Sequence, residues 1–286
     1  MMRGTQRHFD ELLSDAAHTA WRAYRHAMGT MSPEDRRRTI AERPDGTETF
    51  LLDVAVEGPV LDTLERYGVN VLSEEVGWID RGSAVTVVVD PLDGTANAAA
   101  GVPVCAFAAA VVVDDEVEAA RILWFDTGRE WAASSSRPST VTVSGRRQLL
   151  GASMSLLRPL PTTQRAWTRL ADRAGRIRIL GSSVLEAALV ADGSIDLSCD
   201  PGGDVHRIVD IAAAKLIVEA AGGVVVDVHG RPFTFEPDLR RRWSGVFAAS
   251  HQLAHEAVSL VIDGGHGAGG AVTSGAGTGS RYRRAS

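Results

Sequence analysis

The 286-residue sequence predicts an α/β protein. Three observations carry that prediction. Ala84 to Val89 is an almost unbroken β-prone run, as expected of a strand covered on both faces. The second half alternates helical and strand patterns, the rhythm of α/β layering. The first half instead sets helices ahead of a group of strands, so a regular βαβ repeat is not expected.

The elements follow in chain order. Phe9, Leu12, Leu13, Ala16, Ala20, Tyr24 and Ala27 recur at helical spacing and predict an amphipathic helix over His8 to Met28, ended by Gly29. Glu34 to Arg43 reads as an exposed charged connector. A second helix is expected over Thr49 to Arg66, with a break at Gly58-Pro59. Val69 to Leu72 is a short strand running into Glu74-Glu75, and Ala84 to Val89 a buried strand ending at Asp90. Val104 to Val113 and Val117 to Phe125 pair across a turn at Asp114-Asp115, and Trp131 to Ser135 and Val141 to Val143 add short strands.

The periodicity changes near residues 144 to 160. Beyond it, helices are expected over Thr162 to Ala174, Ser183 to Ala191 and Val209 to Ala221, the last ended by Gly222-Gly223. Strands are expected over Arg176 to Leu180, Ile195 to Cys199 and Val224 to Val228. The expected division is residues 1–150 as an α+β subdomain, 151–263 as an α/β subdomain, and 264–286 as a disordered tail. That tail holds eight glycines and almost no core-forming side chains, and its Arg281, Arg283 and Arg284 are expected to be solvated.

Composition narrows the function. Thirty Lys and Arg against 36 Asp and Glu give a net charge of -6, a poor match to a nucleic-acid binder. Two cysteines, Cys105 and Cys199, make neither a disulfide framework nor a thiolate zinc site by themselves. No apolar run has the length of a bilayer span and no secretory leader is visible, so a cytoplasmic protein is expected.

The stretch Asp90-Pro91-Leu92-Asp93-Gly94-Thr95-Ala96-Asn97 carries the chemistry. A buried strand delivers two carboxylates, three residues apart, to its C-terminal end, where unpaired acids are costly to bury. Oxygen ligands of this kind, with the Leu92 carbonyl, suit Mg²⁺. The N–H groups of Gly94 and Thr95 would receive a phosphate oxygen if a helix starts there. Asp210 opens the later Ala-rich helix, while Glu74 and Asp53 are unremarkable when taken alone.

Together these residues resemble the inositol monophosphatase superfamily of Mg²⁺-dependent, lithium-sensitive phosphatases. Asp90 to Asn97 fits the first signature, D-P-[IL]-D-G-T-x-N, without mismatch. Val209-Asp210-Ile211-Ala212-Ala213 through Ala220-Ala221-Gly222-Gly223 resembles the second, and Ser73-Glu74-Glu75 and Gly181-Ser182-Ser183 resemble two further elements. The resemblance implies an αβαβα layered fold and two or three Mg²⁺ ions, with Mn²⁺ a substitute and Li⁺ inhibitory. It implies Glu74, Asp90, Asp93, Asp210 and the Leu92 carbonyl as ligands. Asp53 and Thr95 would orient the attacking water, with Glu74 also at the chemistry. Asp93, Gly94, Thr95 and Asp210 would face the substrate phosphate. A homodimer is implied by the resemblance alone.

The sequence also departs from the family pattern. Phe50 stands at a threonine position, Val209 replaces a tryptophan, Ser73 a glycine and Ala220 a glutamate. The region Trp131 to Val143 is short for the family's glycine-rich hairpin. No glutamate precedes Asp210 at the usual polyol-contacting place, which leaves Asp200 or Asp204 for a polyol and Arg207 for a second anion. The expected function is hydrolysis of a small polyol or sugar phosphate, inositol monophosphate-like. The alternatives are fructose-1,6-bisphosphatase, 3'-phosphoadenosine 5'-phosphate nucleotidase, and a catalytically weakened regulatory homologue motivated by Phe50 and Val209. The partner is a small phosphate ester rather than nucleic acid or membrane.

Overall fold

The structure is a computed structural model that describes residues 2–42, 47–137 and 139–265. The glycine-rich segment from 266 onward, with Arg281, Arg283 and Arg284, lies outside the described residues, as do residues 43–46.

In chain order the helices are α1 (Met2–Thr30), α2 (Pro33–Arg36), α3 (Leu51–Arg66), α4 (Thr95–Ala100), α5 (Gln164–Ala171), α6 (Ser183–Ala191), α7 (Ile208–Ala220) and α8 (His251–Gly265). The strands are β1 (Thr39–Glu42), β2 (Glu48–Phe50), β3 (Asn70–Ser73), β4 (Gly77–Ile79), β5 (Val85–Asp93), β6 (Ala106–Val113) and β7 (Glu116–Trp124). They continue with β8 (Glu130–Ser134), β9 (Ala152–Leu156), β10 (Ala174–Arg178), β11 (Leu197–Cys199), β12 (Val224–Asp227) and β13 (Gly245–Ala248).

Five layers result, in the order αβαβα. Helices α1 and α3 cover one face of a six-stranded sheet ordered β4-β3-β5-β6-β7-β8. Helices α6 and α7 fill the space between that sheet and a five-stranded sheet ordered β10-β9-β11-β13-β12. Helices α5 and α8 close the far face. Three apolar clusters fill the four interfaces between layers, one of them spanning both faces of the α6/α7 layer. Because α7 is wrapped by a sheet on each side, it is apolar nearly all round: Ile208, Val209, Ile211, Ala214, Ile217 and Val218 are all buried. Among the described residues, no helix is long and apolar enough to cross a membrane.

Several local results differ from the sequence expectations: the expected connector Glu34 to Arg43 carries most of α2 and all of β1, and Thr49 and Phe50 belong to β2 rather than to the helix that follows. No break occurs at Gly58-Pro59; α3 runs through Pro59 because Leu52, Val56, Val60 and Leu64 fasten both of its halves to the sheet. Val141 to Val143 is not a strand; Val143 N–H bonds the Ala221 carbonyl at 3.2 Å and Val141 N–H the Ser139 hydroxyl at 3.1 Å. β5 does not end at Asp90 but continues to Asp93, with an irregularity in its pairing to β6 between those two acids. Pro91, which has no N–H to give to a ladder, sits within that irregularity.

Candidate active site

Strand register places the first two acids side by side. β3 and β5 are adjacent and parallel, with Ser73 opposite Val89, so Glu74 and Asp90 emerge together at the carboxyl end of the sheet. Asp93 follows beyond Pro91. Gly94 then turns the chain at φ +83°, in space where a Cβ would come within 2.7 Å of the Val104 carbonyl oxygen. Helix α4 begins at Thr95.

The other two acids are delivered by a shared device. Asp53 and Asp210 are each the third residue of a helix, and each carboxylate reaches back to the N–H just before its helix: Phe50 N–H to Asp53 at 2.8 Å, Arg207 N–H to Asp210 at 2.6 Å. A backbone N–H serves here whatever the side chain, so Phe50 in place of threonine leaves this bond intact. Asp90, Asp93 and Asp210 each present a carboxylate oxygen within 4.8 Å of the others. Glu74 and Asp53 line a cleft of about 290 Å³ together with Asp90 and Asp93, and Asp210 lines the cleft that adjoins it.

The surrounding contacts fix the acids. Thr95 donates its hydroxyl proton toward Asp53 Oδ1 at 2.5 Å, with the Leu92 carbonyl at 2.9 Å. Ser182, from the Gly181-Ser182-Ser183 segment, donates to Asp93, and Val184 N–H approaches the same oxygen at 3.3 Å. Asn97 gives its amide N–H groups to the carbonyls of Val104 and Leu180 at 2.9 and 2.8 Å, tying α4 to that segment. Thr49 donates to Glu75 at 2.5 Å. Arg207 bonds Glu74 and lies 3.6 Å from Asp210, joining acids from the two halves of the chain.

Burial, reinforced by Glu74, Asp93 and Asp210, raises the Asp90 carboxyl well above the usual range. Burial and the Asp210 charge push Asp93 up to about 8. Burial likewise raises Asp53 to about 7, against the hydrogen bonds from Thr95 and Phe50 that pull it down. Burial lowers Arg207, but Glu74, Asp210 and Asp90 more than offset it and hold the guanidinium firmly charged. Oxygen donors crowded together with this much uncompensated charge fit a divalent cation such as Mg²⁺, whose charge would remove the repulsion.

A pH dependence follows. The raised carboxyls hold protons in the fold after the unfolded chain has lost them near 3.8, so the metal-free protein loses stability as pH rises toward 8. Metal-free protein should therefore melt several degrees higher at pH 5 than at pH 8, and saturating Mn²⁺ should invert that order by binding the ionised acids. Thermal unfolding with chelator or with Mn²⁺ reads both; equal melting at the two pH values without metal would contradict the proposed repulsion.

Two expected polyol contacts are engaged elsewhere. Asp200 is buried and its carboxylate accepts Gly203 N–H at 2.7 Å and Val205 N–H at 2.9 Å, shaping its own loop. Asp204 pairs with Arg231 and accepts the Ser244 hydroxyl at 2.9 Å. Neither lines the cleft of about 410 Å³ that adjoins the acids. That cleft is lined instead by Arg158, Arg207 and Arg242 with Leu157, Leu160 and Val205. His206 also lines it, its Nδ1 accepting Gly245 N–H at 3.2 Å.

Two buried acids escaped the sequence reading. Glu57, one turn after Asp53 on the buried face of α3, accepts the Ser73 hydroxyl at 2.5 Å and the Glu75 and Val76 N–H groups at 3.1 and 3.2 Å. Glu186 accepts the Leu180 and Gly181 N–H groups at 2.9 and 3.3 Å. The available signal was spacing: an acid four residues after Asp53 on an otherwise apolar helical face.

Comparison with known proteins agrees with this geometry. Residues 9–262 match the sequence profile of the inositol monophosphatase family. A fructose-1,6-bisphosphatase/inositol-1-monophosphatase of Thermococcus kodakarensis is 30% identical over 255 residues, covering 87% of this chain and 96% of the relative. A histidinol-phosphatase of Mycobacterium tuberculosis is 33% identical over 243 residues, covering 79% and 88% respectively. A Pyrococcus horikoshii protein described as similar to inositol-1 monophosphatase superposes with a TM-score of 0.77 at 27% identity, covering 89% of this chain and 98% of its own.

Proposed function

The chain belongs to the inositol monophosphatase family, and from that premise we propose that it is a Mg²⁺-dependent phosphomonoesterase of small sugar or polyol phosphates. The observation that carries the reading is the convergence of Asp90, Asp93 and Asp210, with Glu74 in the cleft that Asp90 and Asp93 line. Those four carboxylates and the Leu92 carbonyl would hold the ions. When bound, divalent cations supply Lewis-acid charge at the phosphoryl group and acidify water. Homodimer formation belongs to the same proposal and rests on family resemblance.

The chain's own residues do the rest. The Thr95 hydroxyl proton is committed to Asp53, so its oxygen is open to accept a proton from the attacking water. Asp53, raised to about 7, suits the role of taking that proton at neutral pH. Gly94 and Thr95 N–H groups, at the start of α4, would hold a phosphate oxygen. Arg207 keeps Glu74 and Asp210 turned toward one another.

The adjoining cleft orders the substrates. Arg158, Arg207 and Arg242 along its wall favour a leaving group that itself carries an anion. That supports fructose 1,6-bisphosphate over neutral inositol, and both over histidinol phosphate, whose leaving group is cationic. Phosphate release from these three substrates with Mg²⁺ tests the order. Arg158→Ala should lower kcat/KM for the bisphosphate about tenfold, near 1.4 kcal/mol, and that for inositol phosphate far less. Preference for histidinol phosphate would overturn the anionic assignment.

A further inference from the structure

We infer that Glu57 is a positioning residue for the metal site: a buried carboxylate that pins the turn bearing Glu74 from both sides. The inference rests on the reading of Glu74 as a metal ligand and goes beyond it.

Glu57 lies on α3, only 5% exposed, among Leu52, Val56, Val60 and Leu64. An acid on that face must justify its burial through hydrogen bonds. Its Oε1 gathers three donors from one short stretch: the Ser73 hydroxyl at 2.5 Å, Glu75 N–H at 3.1 Å and Val76 N–H at 3.2 Å. Two of these come from the residues immediately before and after Glu74. The ligand is therefore held on each flank, by the Ser73 side chain before it and by backbone N–H groups after it, while its carboxylate remains at the cleft.

The sheet holds this turn only at its base, where Ser73 pairs with Gly77. β3 ends at Ser73, and the turn that follows leads into β4, which starts only at Gly77. Between them the N–H groups of Glu75 and Val76 have left the ladder, and Glu57 accepts both. The arrangement also explains Ser73, where the family pattern has glycine: its hydroxyl reaches Glu57, an interaction that glycine lacks. One helix thus serves the site twice, through Asp53 at the water-orienting pair and through Glu57, one turn later, beneath the ligand turn.

A purely structural role predicts lower stability with unchanged metal affinity for the folded variant. A positioning role predicts weaker metal binding, because Glu74 must be ordered when the ion arrives. Hydrogen-bond partners of metal ligands typically contribute about 10–100-fold to affinity. The test is calorimetric titration of Mn²⁺ into the metal-free protein at pH 8, alongside thermal unfolding.

Glu57→Ala, which removes the acceptor, should raise the Mn²⁺ Kd about tenfold, while Glu57→Gln, whose amide oxygen can still accept all three donors, should raise it less. Ser73→Ala, which removes one donor without altering charge, should raise it in the same direction. Wild-type Kd in folded Glu57→Ala and Ser73→Ala would overturn the inference. So would equal shifts in Glu57→Ala and Glu57→Gln with none in Ser73→Ala, since that is the signature of lost charge rather than lost position. If Glu57→Ala does not fold, Ser73→Ala decides: a raised Kd supports the role, an unchanged one overturns it. Absence of Mn²⁺ binding in the wild type would instead sink the metal-site reading, and this inference with it.

Discussion

Asp90→Asn should abolish Mg²⁺-dependent phosphate release while leaving the protein folded. Asp90 is 1% exposed and stands among Glu74, Asp93 and Asp210, so every other acid of the cluster interacts with it. Its Oδ1 also accepts Leu92 N–H at 3.0 Å, a bond the asparagine oxygen can keep, so the turn should survive. What is lost is a charged ligand at the centre of the site. A fall of at least about 10³ in rate, roughly 4 kcal/mol of transition-state stabilisation, is the expected size. The same change removes one of several mutually repelling buried charges, so the metal-free variant should melt above the metal-free wild type. Lost activity with a raised melting temperature separates a site defect from a folding defect. Retained turnover would remove Asp90 from the chemistry.

Asp53→Asn should act differently. Asp53 receives two donors, Phe50 N–H on one oxygen and the Thr95 hydroxyl on the other. An asparagine has a single oxygen, so its NH₂ must face one of these donors whichever way it is turned. The Thr95 hydroxyl is then released or reversed, and the proton acceptor is gone. A positioned base typically contributes about 10²–10⁴-fold, and kcat should fall within that range while KM and Mn²⁺ affinity change little. Thr95→Ala should reproduce most of the defect, and combining the two should add little because they act as one unit. A defect that saturating metal restores would instead make Asp53 a ligand-side residue.

Much of this site is legible in the sequence because its core is local or motif-bound. Asp90, Leu92, Asp93, Gly94 and Thr95 lie in one uninterrupted segment, and the β-prone run before them announces the strand that presents them. Asp210 is legible as the acid that opens a buried helix. The contacts that hold these residues are less so. Glu57 reads as one more acid on a charged helix until the fold shows that its face is the buried one. Asp200 and Asp204 read as candidate polyol contacts ahead of Asp210; only the fold reveals that backbone N–H groups and Arg231 engage them.

The same division holds for the architecture. Helices α1 and α6 are visible in the sequence, α1 through the periodicity of its apolar residues. β9 and β13 are short central strands whose identity depends on partners far along the chain: β9 lies between β10 and β11, and β13 between β11 and β12. Their local composition carries little of that information. Val141 to Val143 shows the converse, a β-prone triplet that no strand pairs with in the fold.

The central claim is that acids from both halves of the chain converge to bind divalent cations. The most direct measurement is anomalous diffraction from crystals of this protein soaked in Mn²⁺. The account predicts anomalous peaks within coordination distance of Asp90, Asp93 and Asp210 carboxylates, at least one of them shared with Glu74. Well-occupied Mn²⁺ elsewhere with none among these four acids would contradict it.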